Sequence, residues 1–571
     1  MDLTQLTPYQ KRSFVPSGAD LTDAATVAGL YEQLEQRLVK TDKDLEGWIL
    51  DRSEVDAALS QAGSILYIRM TCHTDDQAIA GAYTKFIETV PPAIKPINDR
   101  LNRRYLELRK TFALDPKRYE VYDRAIKTDI ELFREKNVPL QTQVDLLSQE
   151  YQKVCGAMTV QFEGKEHTLP QMAKYLLEPD RSLREKAWRA TAERRLKDRD
   201  KLEDTFNQMF ALRNEVSRNA GCRNFVEYQF KAYHRFDYTP QDCKRYHESI
   251  EHFVVPLVGK ILERRKKEMK LKSLRPWDTA VDPLGRAPLK PFDDVRQLVK
   301  GSQTIFDRLN LQLGRQFKEM DDFGLLDLAS RKGKAPGGYQ NTLNEARKPF
   351  IFMNAVGVDD DVRTLLHEGG HAFHALACAQ DPLVDYRHGP MEFCEVASMA
   401  MELLGGEHIN VFYGAEETRR SNREHLEGII QVLAWVANID AFQHWLYEHP
   451  KHSPQERRQA WVGFYKHFGG QFIDWTDLKD HKGYLWHRQL HIFEVPFYYI
   501  EYGIAQLGAL QVWMNARKDP RKALEDYRRG LALGGSRPLP ELYQAAGIKF
   551  DFSAKIIKPL VEAVTEELEK L

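Results

Sequence analysis

The chain has 571 residues, with 82 Lys and Arg against 83 Asp and Glu and a formal net charge of -1. This length suits more than one domain, and the even charge balance excludes a basic nucleic-acid-binding chain. No apolar run approaches the ~20 residues that span a bilayer, and the first residues lack the pattern of a signal peptide. The six scattered cysteines form no C-x-x-C pair, which favours reduced thiols. We therefore expect a cytoplasmic protein without a nucleic-acid or membrane partner.

Helical periodicity dominates the first 220 residues, with apolar residues three and four apart and charged residues on the opposite face. The predicted helices cover residues 21–39, 54–70, 75–89, 97–111, 140–158 and 183–220. Residues 159–168 instead alternate around Glu163-Gly164-Lys165, which predicts a β-hairpin. We predict an N-terminal helical lobe over residues 1–185, with this hairpin near its end, and a second lobe over residues 186–571.

The segment 273–292 contains four prolines, which predicts a surface connector rather than a helix. Three short candidate strands follow, at residues 325–329, 338–343 and 350–354. A small sheet is therefore expected just before the next helix. If one of its strands has a free edge, that edge could pair with an extended peptide.

Residues 367–371 read His-Glu-Gly-Gly-His. Apolar residues at helical spacing surround this segment, and three aspartates at 359–361 suit a helix start, so the segment is predicted to lie within a helix. The imidazoles of His367 and His371 would then lie one turn apart and could bind one zinc ion. Glu368 could take a proton from water activated by that ion. The segment predicts a zinc hydrolase.

Two glycines occupy the interior of this predicted helix, where each costs about 1 kcal/mol relative to alanine. We favour the interpretation that the bare backbone of Gly369 and Gly370 leaves room for a substrate or for a neighbouring side chain beside the metal. The alternative is simple tolerance by a well-packed protein.

A catalytic zinc site needs a third protein ligand and one open position. The candidates are His374, His388, Glu392 and Glu395. Roughly 10 Å of helix rise separates His374 from His367, which is too far for both to bind one ion. His388 falls in a predicted loop and suits a substrate contact equally well.

Glu395 begins a second predicted helix and shares one face of it with Ser398 and Glu402. The chain between His371 and Glu395 is long enough for this helix to return alongside the first. We therefore favour Glu395 as the third ligand, with Glu402 as a carboxylate that orients a ligand.

Several segments, in this order along the chain, resemble oligoendopeptidase F, within the thimet oligopeptidase superfamily of zinc peptidases. They are residues 337–339, 349–354, 367–374, 395–402, 496–502 and 534–537. The resemblance implies a mostly α fold with two helical lobes flanking a deep substrate channel and a small β-sheet next to the zinc-binding helix. It implies an endopeptidase that cleaves short unstructured peptides inside this channel, with one Zn2+ per chain.

The resemblance also implies a histidine and a tyrosine near the C-terminus that donate to the oxyanion formed when water attacks the peptide carbonyl. His491, Tyr498 and Tyr502 are the candidates here. Pro496 is well placed to start a helix, on which Tyr498 and Tyr502 would share a face. The candidate substrate contacts are Gly338, Tyr339, His388 and Tyr499.

Two other interpretations remain. A carboxypeptidase or peptidyl-dipeptidase of a related helical zinc class would use the same ligands and release residues from one end of a peptide. An inactive peptide-binding scaffold with structural histidines is disfavoured, because every member of the water-activating set is present. The sequence leaves the oligomeric state and the preferred cleavage sites open.

Overall fold

The computed structural model describes residues 3–331, 333–335 and 337–571. Its α-helices are α1 Ala24–Gln36, α2 Asp42–Cys72, α3 Gln77–Thr111, α4 Pro116–Leu132, α5 Val138–Gly156, α6 Leu169–Met172, α7 Arg181–Lys197, α8 Arg199–Asn219, α9 Phe225–Ala232, α10 Pro240–Ser249, α11 Val255–Glu268, α12 Val295–Leu309, α13 Leu311–Asp322, α14 Asp359–Ala377, α15 Met391–Gly406, α16 Ala415–Glu448, α17 Pro454–His467, α18 Lys479–Gly483, α19 Leu490–Glu494, α20 Ile500–Lys518, α21 Pro520–Leu531, α22 Leu539–Ala545 and α23 Ala554–Lys570. Its strands are β1 Thr159–Phe162, β2 Lys165–Thr168, β3 Leu326–Ala329, β4 Tyr339–Leu343 and β5 Lys348–Ala355. The predicted mostly α fold is confirmed. Within the described residues, no helix is both long enough and apolar enough to cross a membrane.

The β-hairpin predicted around residues 159–168 is confirmed, since β1 and β2 pair antiparallel with Phe162 opposite Lys165. The two turn residues, Glu163 and Gly164, have φ values of 48° and 76°. Positive φ at both positions is the backbone of the type I′ turn, which fits the twist of a two-residue hairpin.

The two helices predicted between residues 75 and 111 form one continuous helix, α3, so that prediction is wrong. Pro91, Pro92 and Pro96 all lie inside it, although an interior proline costs about 3 kcal/mol. The helix continues through them because its buried face packs into a hydrophobic core on both sides of the prolines. The buried residues of this face are Phe86, Val90, Ile94, Ile97, Leu101, Asn102 and Tyr105.

The three candidate strands form a small sheet in the order β3-β5-β4. The central strand β5 is buried over most of its length, runs parallel to β3 and pairs antiparallel with β4. In the part of the chain that the structure describes, β4 pairs with β5 alone, so it is an edge strand. A Cβ added at Gly338, just before β4, would lie 3.4 Å from Cγ2 of Thr364 in α14. The sheet therefore packs beside α14, as predicted.

The chain divides into two compact units, each built from three segments. The first contains the residues up to Glu131, Leu289–Ser421 and Gly508–Phe550; the second contains Leu132–Pro288, Asn422–Leu507 and Asp551–Leu571. This division differs from the predicted single boundary between residues 1–185 and 186–571. Arg184, beside that boundary, is buried and donates to Asp278 of the same unit at 3.2 Å. This contact joins residues 94 positions apart across the predicted boundary. Helical periodicity carries no information about contacts so distant in sequence.

Candidate active site

The helix α14 carries the His-Glu-Gly-Gly-His segment and begins at a carboxylate cap. The side chain of Asp361 accepts hydrogen bonds from the backbone N–H groups of Val356, Gly357 and Val358 at 2.8, 2.7 and 2.9 Å. These N–H groups lie at the positive end of the helix, where a carboxylate is stabilising. Of the three aspartates that the sequence places at the helix start, Asp361 therefore caps the helix, and this fixes the turn that leads from β5 into α14.

The two glycines of α14 allow neighbouring helices to approach closely. A Cβ added at Gly370 would lie 2.5 Å from the carbonyl oxygen of Ala397 in α15, and one at Gly369 would lie 2.8 Å from Cζ of Phe306 in α12. Backbone atoms of α15 thus occupy the space at Gly370, and an aromatic side chain occupies the space at Gly369. The glycines serve helix packing, and this packing sets the distance between the histidines of α14 and the glutamates of α15.

Three side chains from these two helices bring their metal-binding atoms together. Oε2 of Glu395 lies 3.5 Å from Nε2 of His367 and 3.7 Å from Nε2 of His371. One donor atom from each of the three residues lies within 4.8 Å of the other two. Tetrahedral zinc with bonds of about 2.0 to 2.2 Å has donor atoms about 3.3 to 3.6 Å apart. The residues present therefore fit a single divalent ion.

The other candidate ligands do not join this group among the described residues. His374 is buried, and its ring lies against Phe393 with a centroid separation of 5.8 Å. Burial lowers the pKa of His374 to about 3. His388 is exposed and lies outside any helix, just after a short turn.

The pKa values of two of the three donors, His371 and Glu395, already suit metal binding. Burial lowers the pKa of His371 to about 4, which keeps its imidazole neutral. Burial opposes ionisation of Glu395, but the hydrogen bond from His367 and its positive charge lower the pKa of Glu395 to about 2. Neutral imidazole and ionised carboxylate are the forms that bind a metal ion. Burial lowers the pKa of His367, but hydrogen bonds to Glu395 and Glu402 outweigh burial and raise this pKa well above its ordinary value, so this ring must release a proton when an ion binds.

Two further groups on α15 orient the donors. Nδ1 of His367 lies 2.6 Å from Oε1 of Glu402, which directs Nε2 of the same ring toward Glu395. The hydroxyl of Ser398 donates to Oε2 of Glu395 at 3.2 Å. Ser398 has this contact because it follows Glu395 by three residues on the helix.

Replacing Glu402 with Gln is expected to weaken zinc binding by about 10 to 100-fold, because the His367 ring loses its charged partner. Competition with a chromophoric chelator measures this affinity. Glu407→Gln, at the exposed end of α15, is the matched control and should bind zinc as the unmodified chain does. Equal zinc affinity in the Glu402 variant and the unmodified chain would contradict this role for Glu402.

Glu368 belongs to α14, and its side chain lies beside the edge strand β4. Its side chain is 6% exposed, and Oε2 has no hydrogen-bond partner within the described residues. Burial raises the pKa of Glu368 to about 7, with a partial offset from the charge of His367 and from the backbone N–H of Gln340 in β4. A carboxyl group with this pKa exchanges a proton readily near neutral pH.

The segment that enters β4 holds two of the candidate substrate contacts. Gly338 is exposed, and the preceding residue, Gly337, has a φ of 94° that favours glycine. The ring of Tyr339 stacks on Phe352 at a centroid distance of 4.7 Å, and its hydroxyl lies 2.6 Å from Oγ1 of Thr71. Tyr339 therefore has a packing role in the sheet, and its contact with substrate stays a prediction.

In the second unit, His491 lies among three tyrosines. The ring centroid of His491 is 4.7 Å from that of Tyr499, 5.8 Å from Tyr502 and 6.1 Å from Tyr498. The four predicted residues thus form one aromatic cluster in this unit. All four are partly exposed.

The backbone under this cluster differs from the prediction. The helix α20 begins at Ile500, so Pro496 does not start it, and Tyr498 precedes the helix that carries Tyr502. The reason is Phe497, which has a φ of 67°. Its N–H donates to Gln443 at 2.8 Å, and its carbonyl accepts from Arg235 at 2.6 Å. These buried contacts hold a turn where a helix was expected.

Hydrogen bonds fix which nitrogen of His491 carries the proton. Nε1 of Trp435 can only donate, and it donates to Oε1 of Gln489 at 3.1 Å. The amide nitrogen of Gln489 therefore faces Nδ1 of His491, at 2.8 Å, and donates to it. Burial lowers the pKa of His491 to about 4, so the ring is neutral and Nε2 carries its single proton. Sequence reasoning missed Gln489, whose only signal was its position two residues before His491.

The structure combines a mostly α fold, an H-E-x-x-H sequence on one helix and a glutamate on the adjacent helix. Together these features define a class of helical proteins that hold a metal ion with this motif. The sequence profile of Peptidase family M3 matches residues 174–562, and the chain belongs to this family. The resemblance to oligoendopeptidase F is thereby confirmed.

Solved structures support the same assignment. The chain is 25% identical to PZ peptidase A, solved with an inhibitor, with a TM-score of 0.89 over 98% of this chain and 99% of that one. A structure from Bacillus anthracis str. Ames with the provisional name oligoendopeptidase F is 25% identical, with a TM-score of 0.83 over 99% and 98% of the two chains.

A curated relative, oligopeptidase PepF of Bacillus subtilis (strain 168), is 23% identical over 329 residues, which are 56% of this chain and 47% of the relative. The matched regions span between 24% and 49% of the length of the curated relatives.

Proposed function

We propose that this chain is a zinc-dependent endopeptidase that hydrolyses short, unstructured oligopeptides. The observation that carries the proposal is the convergence of His367, His371 and Glu395 on one point, with Glu368 one residue from the first histidine. These three donors would hold one Zn2+, which supplies Lewis acidity that acidifies water and polarises a carbonyl oxygen. Membership of Peptidase family M3 supports the same reaction class.

Glu368 serves as general base and then as general acid. Its Oε2 accepts a proton from the attacking water and later returns that proton to the nitrogen of the leaving peptide. Burial suits the group for both steps, because it brings the pKa of Glu368 to about 7. The neighbouring N–H of Gln340 holds the carboxyl group beside β4 while the proton moves.

The proposal also includes hydrogen-bond donors to the developing oxyanion. We assign this role to Nε2–H of His491 and to the hydroxyls of Tyr498 and Tyr502. The support is the neutral ring of His491, with its proton on Nε2, together with the family resemblance of this segment. Such donors stabilise the transition state, in which negative charge develops on the carbonyl oxygen.

Removing one phenolic hydroxyl tests this assignment while it preserves the aromatic ring. Tyr498→Phe and Tyr502→Phe are each expected to lower kcat by about 100 to 1000-fold with little change in KM. Steady-state kinetics on a quenched fluorescent peptide measures both constants. If both variants turn over at the unmodified rate, the tyrosines are packing residues and the assignment is wrong.

The edge strand β4 would bind the substrate backbone. An extended peptide can pair with a strand that has a free edge, and β4 is such a strand in the described part of the chain. Its residue Gln340 adjoins Glu368, so a peptide paired there would lie beside the general base. Gly338, Tyr339, His388 and Tyr499 are the proposed side-chain and loop contacts.

The experiment that tests the function uses one short peptide in two forms, with both ends blocked by acetylation and amidation or with both ends free. Mass spectrometry identifies the products, with and without a zinc chelator. An endopeptidase is expected to cut both forms at the same internal bonds, with activity lost in chelator and restored by zinc. Release of one or two residues from a free end alone would favour a carboxypeptidase or peptidyl-dipeptidase. Absence of cleavage in a zinc-loaded, folded chain would contradict the proposal.

A further inference from the structure

We infer that the second unit contains a second metal site, formed by Cys243, Asp440 and His444, which binds a divalent transition-metal ion in a structural role. Cys243 lies on α10, and the other two residues lie one turn apart on α16. One donor atom from each of the three lies within 4.8 Å of the other two. The site is independent of the proposed peptidase reaction.

The arrangement has the same construction as the donor group of the first unit. Asp440 and His444 are four residues apart on one helix, so their side chains share a face. Cys243 comes from a neighbouring helix, as Glu395 does in the first unit. Three metal-binding side chains from two helices are thus brought to one point a second time.

Unsatisfied polar atoms point to a ligand at this position. The exposure of Cys243 and Asp440 is 0%, and that of His444 is 2%. Both ring nitrogens of His444 and Oδ1 of Asp440 lack a hydrogen-bond partner among the described residues. A buried polar atom without a partner is destabilising, and coordination to one metal ion would remove that penalty for one ring nitrogen of His444 and for the carboxylate of Asp440.

A fourth residue orients the carboxylate. Nε2 of His247, on α10, donates to Oδ2 of Asp440 at 2.8 Å. Nε2 of His444 lies 3.4 Å from the same oxygen, outside hydrogen-bond geometry but at the separation of two donors that share one ion. His247 therefore orients Asp440 in the way that Glu402 orients His367. Each lies outside the donor group and forms a hydrogen bond to one of its members.

The chemistry of the donors selects the ion. One thiolate, one imidazole and one carboxylate suit zinc or a related transition metal, whereas calcium and magnesium prefer oxygen donors alone. A divalent cation would also balance the two negative charges of a buried thiolate and carboxylate. A nucleophilic Cys-His-Asp triad is excluded in this described region, because substrate atoms could not reach a cysteine with no exposed surface.

The absorption spectrum of bound cobalt distinguishes this site from the one on α14. Chains produced in cobalt-supplemented, zinc-depleted medium would take up the ion during folding, so burial does not block loading. A cysteine thiolate bound to cobalt gives a charge-transfer absorption in the near ultraviolet, whereas two imidazoles and a carboxylate do not. We expect two ions for each chain, together with this absorption.

Substitutions at the two sites show which ion binds at which site. Cys243→Ser should lose the absorption and one ion while peptide hydrolysis remains close to that of the unmodified chain. Cys222→Ser, which alters another buried thiol of the same unit, is the matched control and should keep both ions. The double variant His367→Ala/His371→Ala should lose hydrolysis and the other ion but keep the absorption.

The double variant also decides the outcome if Cys243→Ser fails to fold. Thiolate absorption and one bound ion in the folded double variant support the second site, whether or not the chain is a peptidase. A folded double variant with neither would overturn the inference. Loss of the absorption in Cys222→Ser but not in Cys243→Ser would overturn it as well.

Discussion

Glu368→Gln is expected to lower kcat for peptide hydrolysis by about 100 to 10,000-fold, because glutamine cannot accept the proton of the attacking water. The substituted side chain has the same shape, and it is not one of the three donors that converge at the site. Zinc content should therefore match that of the unmodified chain. Kinetics on a quenched fluorescent peptide, with metal analysis of the same preparation, measures both quantities.

Glu392→Gln is the matched control for this variant. Glu392 is a buried glutamate on α15, 4% exposed, and it lies outside the donor group within the described residues. Its substitution makes the same change of a buried carboxyl group to an amide and should leave the rate close to the unmodified value. A Glu368→Gln chain that cleaves peptides at the unmodified rate would refute the proposed role of Glu368.

Gly370→Ala is expected to impair both folding stability and zinc binding. The added Cβ would lie 2.5 Å from the carbonyl oxygen of Ala397 and 2.6 Å from Cα of Ser398, so α14 and α15 must move apart. Overpacking of this kind costs about 1 to 3 kcal/mol of unfolding free energy. The same movement would separate the histidines from Glu395 and so weaken zinc binding and lower activity. Denaturant unfolding of the metal-free chain isolates the packing effect, and zinc titration measures the second effect.

Gly47→Ala in α2 is the control for this helix-packing prediction. A Cβ at Gly47 would meet no atom within 4 Å in the described structure, and its backbone is helical. Alanine there should be neutral or stabilising by up to about 1 kcal/mol. If Gly370→Ala retains the stability and zinc affinity of the unmodified chain, the close approach of α14 and α15 does not set the geometry of the site.

The metal-donor geometry could be predicted from sequence because it depends on short-range periodicity. The spacing of His367 and His371 places both on one helix face, and a second amphipathic helix with Glu395 and Glu402 on one face returns to meet it. The small sheet was also predictable, since its apolar strands are short and separated by turn residues. The roles of these residues in catalysis stay proposals.

Features that depend on contacts distant in sequence could not be predicted. The continuity of α3 through three prolines depends on the core that covers one of its faces. The turn at Phe497 depends on Arg235 and Gln443, which no local pattern connects to it. The meeting of Cys243 with Asp440 and His444 joins residues 197 and 201 positions apart in the sequence, so only the fold reveals it.

We propose that one zinc ion binds where α14 and α15 meet and serves peptide hydrolysis there. Anomalous X-ray diffraction at the zinc absorption edge, on crystals of the active chain, tests it most directly. We expect an anomalous peak about 2.0 to 2.2 Å from Nε2 of His367, Nε2 of His371 and a carboxylate oxygen of Glu395. A chain that hydrolyses peptides but shows no anomalous peak at these three atoms would contradict it.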